Sequence, residues 1–237
     1  LVNSPGMTWN LNLSGSVNHN KILDFGEGAS PPSEYYREGY PGGSMWGYPI
    51  EGFSDENGDG MISPEEVVVG EEEKFLGPMF PEQEVSFRTD MTLWRVLRIN
   101  LLLDYRGGFV MRNTTGLIRC AWGYCRAAWD PSTPLREQAR WVADTNAGYE
   151  EEGDFIKLRE AGFTLFAPET WATRLGVTRL SLTITGRNLA TWSDYTGPDP
   201  EVNSHGVGTT GESSWNNWDW NAQAPFRYWT ARINMGF

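Results

Sequence analysis

The 237-residue sequence predicts an all-β protein of antiparallel up-and-down strands, on three observations. Several stretches of about ten residues alternate apolar and polar side chains, which puts the apolar ones on a single face of a strand. The connections between these stretches are either very short or very long. Helix-favouring runs of Ala, Leu, Glu and Lys are scarce.

Taken in order, "MTWNLNLS" sets Met7, Trp9, Leu11 and Leu13 against Thr8, Asn10, Asn12 and Ser14. "VSFRTDMTL" opposes Val85, Phe87, Met91 and Leu93 to Ser86, Arg88, Asp90 and Thr92. In "LRINLLLDY", Leu97, Ile99, Leu101, Leu103 and Tyr105 oppose Arg98, Asn100 and Asp104. "RLSLTIT" and "WTARINMGF" repeat the pattern with Leu180, Leu182 and Ile184, then with Trp229, Ala231, Ile233 and Met235. "FIKLREAGFTLFAP" is strand-like, but its phase is muddled. Strands are therefore expected near 7–17, 84–93, 96–105, 155–167, 178–188 and 227–237.

Segments of this length suit a tilted strand crossing a bilayer. Their polar face would meet water in a sandwich and the lumen in a membrane barrel, and periodicity does not separate the two. The connections do. Only Trp94 and Arg95 join the second and third strands, about ten residues join the fourth and fifth, and the other links run to tens of residues. Short turns on one side and long loops on the other are the habit of outer-membrane barrels, and unusual for a soluble domain.

Composition excludes other classes. Nineteen Lys and Arg against 31 Asp and Glu give a net charge of −12, which argues against nucleic acid. No run of about 18 apolar residues is present, so no membrane-spanning helix is expected. The start, "LVNSPGMTWN", lacks a basic region followed by an apolar core, so it reads as a mature chain or a fragment. No Ser/His/Asp grouping or phosphate loop stands out, and no enzyme is expected. The acids of "YEEEGD" (Glu150, Glu151, Glu152, Asp154) read as a solvated face.

Three local features carry site chemistry. Cys120 and Cys125 are the only cysteines, an even count that suits a small disulfide in an oxidising compartment or two reduced thiols in a loop. "FSDENGDGMISPEE" matches a calcium-loop spacing: Asp55, Asn57, Asp59, the Met61 carbonyl and bidentate Glu66 are candidate Ca2+ ligands, with Gly60 at the tight turn. The alternative is an ion-free acidic Asn-Gly/Asp-Gly turn. In "ESSWNNWDWN", Trp215, Trp218 and Trp220 either stack on sugar rings or pack the loop and the aromatic girdle.

Two stretches resemble a known family. In "GRNLATWSDYTGPDPEVN", Gly186, Arg187, Asn188, Leu189, Trp192, Tyr195, Gly197, Asp199, Pro200 and Glu201 match the C-terminal signature of SusC/RagA-type TonB-linked outer-membrane proteins. "DENGDGMISPEEVVVG" resembles a segment those proteins carry in a long loop before a late strand. The resemblance implies a plugged barrel of about 22 strands that imports oligosaccharides or peptides. It further implies residues 1–237 as the C-terminal portion of that barrel, with plug and early strands absent. Implied partners are a SusD-like surface lipoprotein, the TonB energy-coupling system reached through the missing N-terminal part, the outer-membrane assembly machinery reading Phe237, and outer-membrane lipid. The long connections, about 18–83, 106–154 and 189–226, would lie outside a Gram-negative-type cell. The rival reading is a soluble, calcium-stabilised β-sandwich that binds carbohydrate.

Overall fold

The computed structural model describes residues 2–4, 6–31, 34–143, 145, 148–202, 218–221 and 223–237. The chain enters through β1 (Val2–Ser4) and β2 (Met7–Val17), then makes a long excursion carrying β3 (Ser44–Gly47), β4 (Ile50–Phe53), β5 (Val67–Val69) and β6 (Lys74–Pro78). The long hairpin β7 (Gln83–Leu93) and β8 (Leu97–Gly107) follows. A second excursion carries β9 (Val110–Asn113), α1 (Thr114–Ala121), α2 (Leu135–Val142) and β10 (Glu150–Glu152). Then come β11 (Phe155–Phe166), α3 (Glu169–Arg174) and β12 (Arg179–Ser193), and finally β13 (Trp218–Asp219) and β14 (Tyr228–Gly236).

Seven strands form one sheet in the order β1-β2-β7-β8-β11-β12-β14, every neighbouring pair antiparallel. All six expected strands are in it, in sequential up-and-down order. The register lines up their alternating faces. Trp9, Met91, Ile99, Phe163, Ile184 and Ala231 pair in one row across the sheet, and Leu93, Leu97, Leu165, Leu182 and Ile233 in the next. The opposite face pairs Asn10, Asp90, Asn100, Gly162, Thr185 and Thr230. A one-residue slip would reverse both faces, so the pattern fixes the register. Large apolar side chains on the first face stand exposed, among them Leu13 at 73% and Ile233 at 62%. No helix among the described residues is long and apolar enough to cross a membrane.

The muddled phase of 155–167 has a structural cause. Between Leu158 and Glu160 the register shifts against both β8 and β12, a β-bulge that reverses the alternation partway along β11. On the β12 side, Asn188 (φ 52°) takes up the irregularity, and its Nδ2 donates to the Phe226 carbonyl at 3.1 Å. Asn tolerates this left-handed conformation better than most residues.

The β7–β8 turn contains Trp94 and Arg95, both at positive φ, closed by Val96 N–H donating to Leu93 O at 2.9 Å. Two left-handed residues define a type I′ turn, whose twist matches the hairpin, although neither residue favours that conformation. The 167–178 connection, expected as a plain loop, contains α3.

The long connections fold onto one another at one end of the sheet. Tyr35, Met45, Met79 and Val110 form one small core, with Trp218 packed against it. Phe109, Met111, Phe155 and Tyr195 form a second, directly above the start of β11. The helices α1 and α2 were not expected. Asn113 caps α1 by accepting the Gly116 N–H, and α2 is held by Gln138, fully buried.

If the apolar face meets lipid, as the barrel expectation has it, replacing Ile99 by Arg should destabilise the protein in lipid vesicles by about 2–4 kcal/mol, the cost of a charge at a lipid-facing site deep in the bilayer. Asn100→Ser, one residue along on the polar face, should cost much less. Urea unfolding followed by tryptophan fluorescence reads both.

Candidate functional site

The functional region is the end of the sheet where β11 begins, the 194–202 segment turns back, and the excursions meet. Lys157 lies on the polar face, next to Ile156 on the apolar one. Its Nζ donates to Asp199 Oδ1 (2.5 Å) and Oδ2 (2.8 Å) and to Glu201 Oε2 (2.7 Å). Arg159, at the bulge, donates to both oxygens of Glu201 and, through Nε, to Asp104 Oδ2 at 2.8 Å. Asp104 in turn accepts from Ser86 at 2.6 Å. The segment after β12 is thereby drawn over the polar face and tied to β7, β8 and β11. Lys157 is almost completely buried, so the network survives only because each charge has a partner.

This explains most of the family-motif residues. Asp199 and Glu201 are the acidic half of the network, and Asp199 also accepts the Glu201 N–H at 2.8 Å. Pro200, buried between them, has no N–H left to satisfy. Gly197 packs beneath Tyr195, whose ring would lie 2.3 Å from any Cβ there. At Gly186 a Cβ would meet Leu189 and the Trp229 ring at 2.7 Å. Arg187 donates to Glu160 at 2.9 Å across the strand pair.

Tyr195 anchors the segment on its other side. Its hydroxyl donates to Asp219 Oδ2 at 2.9 Å, and Asp219 Oδ1 accepts from Thr115 at 2.6 Å. Burial, then the Asp219 carboxylate, pushes the Tyr195 phenol far up, so it stays a donor. Through Asp219 the tryptophan-rich connection joins β9 as the parallel strand β13. Trp218 is therefore a packing residue: Arg112 lies 4.8 Å from its ring centroid and Tyr35 6.0 Å. Trp220 is 51% exposed, and Trp215 lies outside the described residues.

The acidic loop sits between β4 and β5, flanked by strands and a single 3-10 turn, Pro64–Glu66. Asp55 Oδ1 accepts the Gly58 N–H and Oδ2 the Gly60 N–H, at 2.8 and 2.9 Å. Asn57 Oδ1 accepts from Asp59 N, and Asp59 Oδ1 from Met61 N. Glu66 closes the loop: Oε1 accepts the Glu56 and Asn57 N–H groups and Oε2 the Ser63 N–H. The Ser63 amide first of all holds the Glu66 carboxyl below its ordinary value. Gly60, at φ +81°, makes the tight turn. Gln138 of α2 ties the loop down, accepting from Ile62 N and donating to the Gly60 carbonyl. The donor set is all hard oxygen, as calcium requires. Among the described residues, however, no three His, Cys, Asp or Glu side chains are grouped to hold a metal ion. The loop is ordered by carboxylate–amide hydrogen bonds.

Cys120 and Cys125 are joined in a disulfide that ends α1. Phe237 lies one residue beyond β14, 94% exposed. Glu150, Glu151 and Asp154 do not form the solvated face expected of the 150–154 acids, and only Glu152 stands exposed. The Glu150 side chain is 1% exposed and paired with Arg112 at 2.5 Å. Glu151 accepts from Arg140, Asn113 and Thr196, and Asp154 from Gly108 N. Burial raised the need for partners, and β9 and α2 supply them. Two further pairs were legible but unread: Lys157 and Arg159 two apart on a strand, and Asp199 and Glu201 two apart in the motif.

No family model matches the chain. It is similar to TonB-dependent receptor P3 of Formosa agariphila, 23% identical over all of this chain and 27% of that protein. TonB-dependent receptor P26 of the same organism is 27% identical over 65% of this chain and 16% of that protein. The structure of the RagAB peptide transporter superposes with a TM-score of 0.70 at 16% identity, covering all of this chain and 28% of that one. The RagAB peptide importer in its open-open state gives 0.62 at 17% identity, over 97% and 27%. The chain thus spans about a quarter, or less, of the length of these proteins. The fold is that of a RagA-like β-barrel wall, and the relatives are receptors and transporters by name, not enzymes.

Lys157→Met should release the 194–202 segment, since it leaves two carboxylates short of a partner, at a cost of about 3 kcal/mol. Hydrogen exchange at Glu201 and Val202 should accelerate while the strand amides stay protected. Burial pushes the Glu201 carboxyl up, but Arg159 and Lys157 outweigh it and hold the group at about 2. A depressed carboxylate contributes stability that is complete above its unfolded pKa of about 4.3 and is lost as pH falls through the folded value. The segment should therefore stay protected at pH 5 and lose protection between about pH 4 and 2.

Proposed function

We propose that this chain forms part of the wall and outer mouth of an outer-membrane, TonB-dependent nutrient importer. The observation that carries the proposal is the two-faced sheet. A largely apolar face, interrupted by Thr89, stands exposed or half-buried, while the polar face bears the Lys157–Glu201 network, as lipid outside and a lumen inside would demand. The sandwich alternative requires that apolar face to be buried against a second sheet, and Leu11, Leu13, Ile233 and Met235 are exposed. The likeness to TonB-dependent receptors and to RagAB along the chain supports the same reading.

In this reading the excursions lie outside the cell, and their two small cores shape the mouth over which a SusD-like lipoprotein sits. Oligosaccharide or peptide is the cargo, with the peptide importer RagAB favouring the latter. Energy arrives from TonB through parts of a longer protein. Phe237 serves assembly, and Trp220 is the exposed tryptophan placed to meet cargo.

Calcium at Asp55, Asn57, Asp59, Met61 and Glu66 belongs to the proposal as a structural ion. What supports it is the order of oxygen donors; what competes is the set of amide hydrogen bonds already closing the loop. Millimolar calcium should slow proteolysis within 50–70, and Asp55→Ala with Glu66→Ala should remove the effect without blocking barrel assembly. No protection of the unaltered protein would mean that the loop is a hydrogen-bonded turn alone.

For the import itself, cells carrying the full-length protein should take up labelled peptide or glycan only while TonB is present. External protease should cut the 18–82 excursion in intact cells. Recovery of the protein from a soluble fraction without detergent would refute the proposal.

A further inference from the structure

The small sheet β10-β9-β13 ends on β10, a strand with one bare edge. Tyr149 O accepts the Asn113 N–H at 2.8 Å, and the Gly153 N–H donates to Phe109 O at 2.9 Å. Antiparallel pairs alternate between bonded and non-bonded, so Tyr149, Glu151 and Gly153 turn their main-chain groups toward β9. Glu150 and Glu152, opposite Arg112 and Val110, turn theirs away from it. Among the described residues no main-chain group pairs with these outward N–H and C=O groups.

A cavity of about 790 Å³ lies against β10, with Glu150, Glu151 and Glu152 in its lining together with the apolar Ile50, Phe53 and Leu76. The Glu150 carboxylate is closed off, its side chain 1% exposed and paired with Arg112. The residue as a whole is only half-buried, so the surface it shows is main chain. The volume falls within the range of about 300–1,000 Å³ typical of sites for small organic ligands. A second chain laid along β10 would run about 4.8 Å from it.

We infer that the edge of β10 takes up a short extended peptide as an added strand, its main chain pairing with Glu150 and Glu152 and its apolar side chains meeting Ile50, Phe53 and Leu76. A bare edge offers donors and acceptors at strand spacing, and an extended chain matches that row at every second residue. A sugar carries hydroxyls but no such repeat. Main-chain pairing accepts varied sequences, and the apolar lining adds a preference for alternate apolar side chains. Glu152 and Asp194, exposed at the cavity, disfavour acidic peptides. The inference rests on the outer-mouth reading above and gives peptide cargo a mode of binding.

Calorimetry on the full-length protein in detergent tests this with an end-blocked Ala-Leu-Ala-Leu-Ala peptide and two N-methylated forms. Methylation of alternate amides leaves one edge of the peptide bare, whereas methylation of every amide leaves none. The alternately methylated form should bind about as well as its parent, and the fully methylated form about tenfold more weakly or worse, since its main-chain hydrogen bonds are lost. Glu152→Pro removes one outward donor without touching the ladder to β9, and should weaken the parent peptide about fivefold. Should that variant fail to fold, the methylated series on the unaltered protein decides. No binding of the parent, equal binding of all three peptides, weak binding of the alternately methylated form, or undiminished binding to Glu152→Pro would overturn the inference. TonB-dependent uptake alongside any of those results would sink this site alone, whereas absence of uptake would sink the importer reading.

Discussion

Each long strand gives its backbone hydrogen bonds to its two neighbours, and the in-register pairing from β2 to β14 decides which face every side chain occupies. In hydrocarbon no water can satisfy a stray N–H or C=O, so lateral pairing is the only way an extended chain can lie there. Once Trp9, Met91, Ile99, Phe163 and Ile184 share one row, Asn10, Asp90, Asn100, Gly162 and Thr185 share the row behind it. The polar face is a consequence of the same pairing that makes the apolar face.

The one break in this sheet's regularity is where the 194–202 segment is tied to it. The bulge at Leu158–Glu160 and the left-handed Asn188 place Arg159 beside Lys157, and together these two cations capture Asp199 and Glu201. Tyr195 then reaches Asp219, and Asp219 brings the tryptophan-rich connection into a sheet with β9 and β10. Sheet, inturned segment and outer excursions are thus coupled through a chain of buried polar contacts. Such contacts are costly to break one partner at a time, so this end of the sheet holds one shape.

Legibility in the sequence followed the range of the interactions. Period-two alternation is local, and it revealed all six long strands, their sequential order and the two-residue turn at Trp94–Arg95. The bulge blurred β11 because a single extra residue inverts the phase. Helices α1 and α2 were invisible: each is eight residues long, too short to stand on propensity alone, and each is held by long-range contacts, α1 through Thr115 to Asp219 and α2 through Gln138 to Gly60 and Ile62. Trp218 read as packing more readily than as a sugar platform, and the arrival of Arg112 and Tyr35 from other excursions shows the packing. Glu150, Glu151 and Asp154 looked solvated because their partners lie 11 to 46 residues upstream or beyond β12. The Asp55–Glu66 spacing was legible because it is local, and its carboxylates accept the loop's own amides.

The most direct measurement of the two-faced wall is nitroxide accessibility along β8. Single cysteines would be introduced in the full-length protein at positions 97 to 103, spin-labelled and reconstituted in lipid. Labels at 97, 99, 101 and 103 should be relaxed strongly by oxygen and weakly by a water-soluble nickel chelate, and those at 98, 100 and 102 the reverse. Labels at the odd positions shielded from both reagents would place that face inside a protein core and contradict the barrel wall.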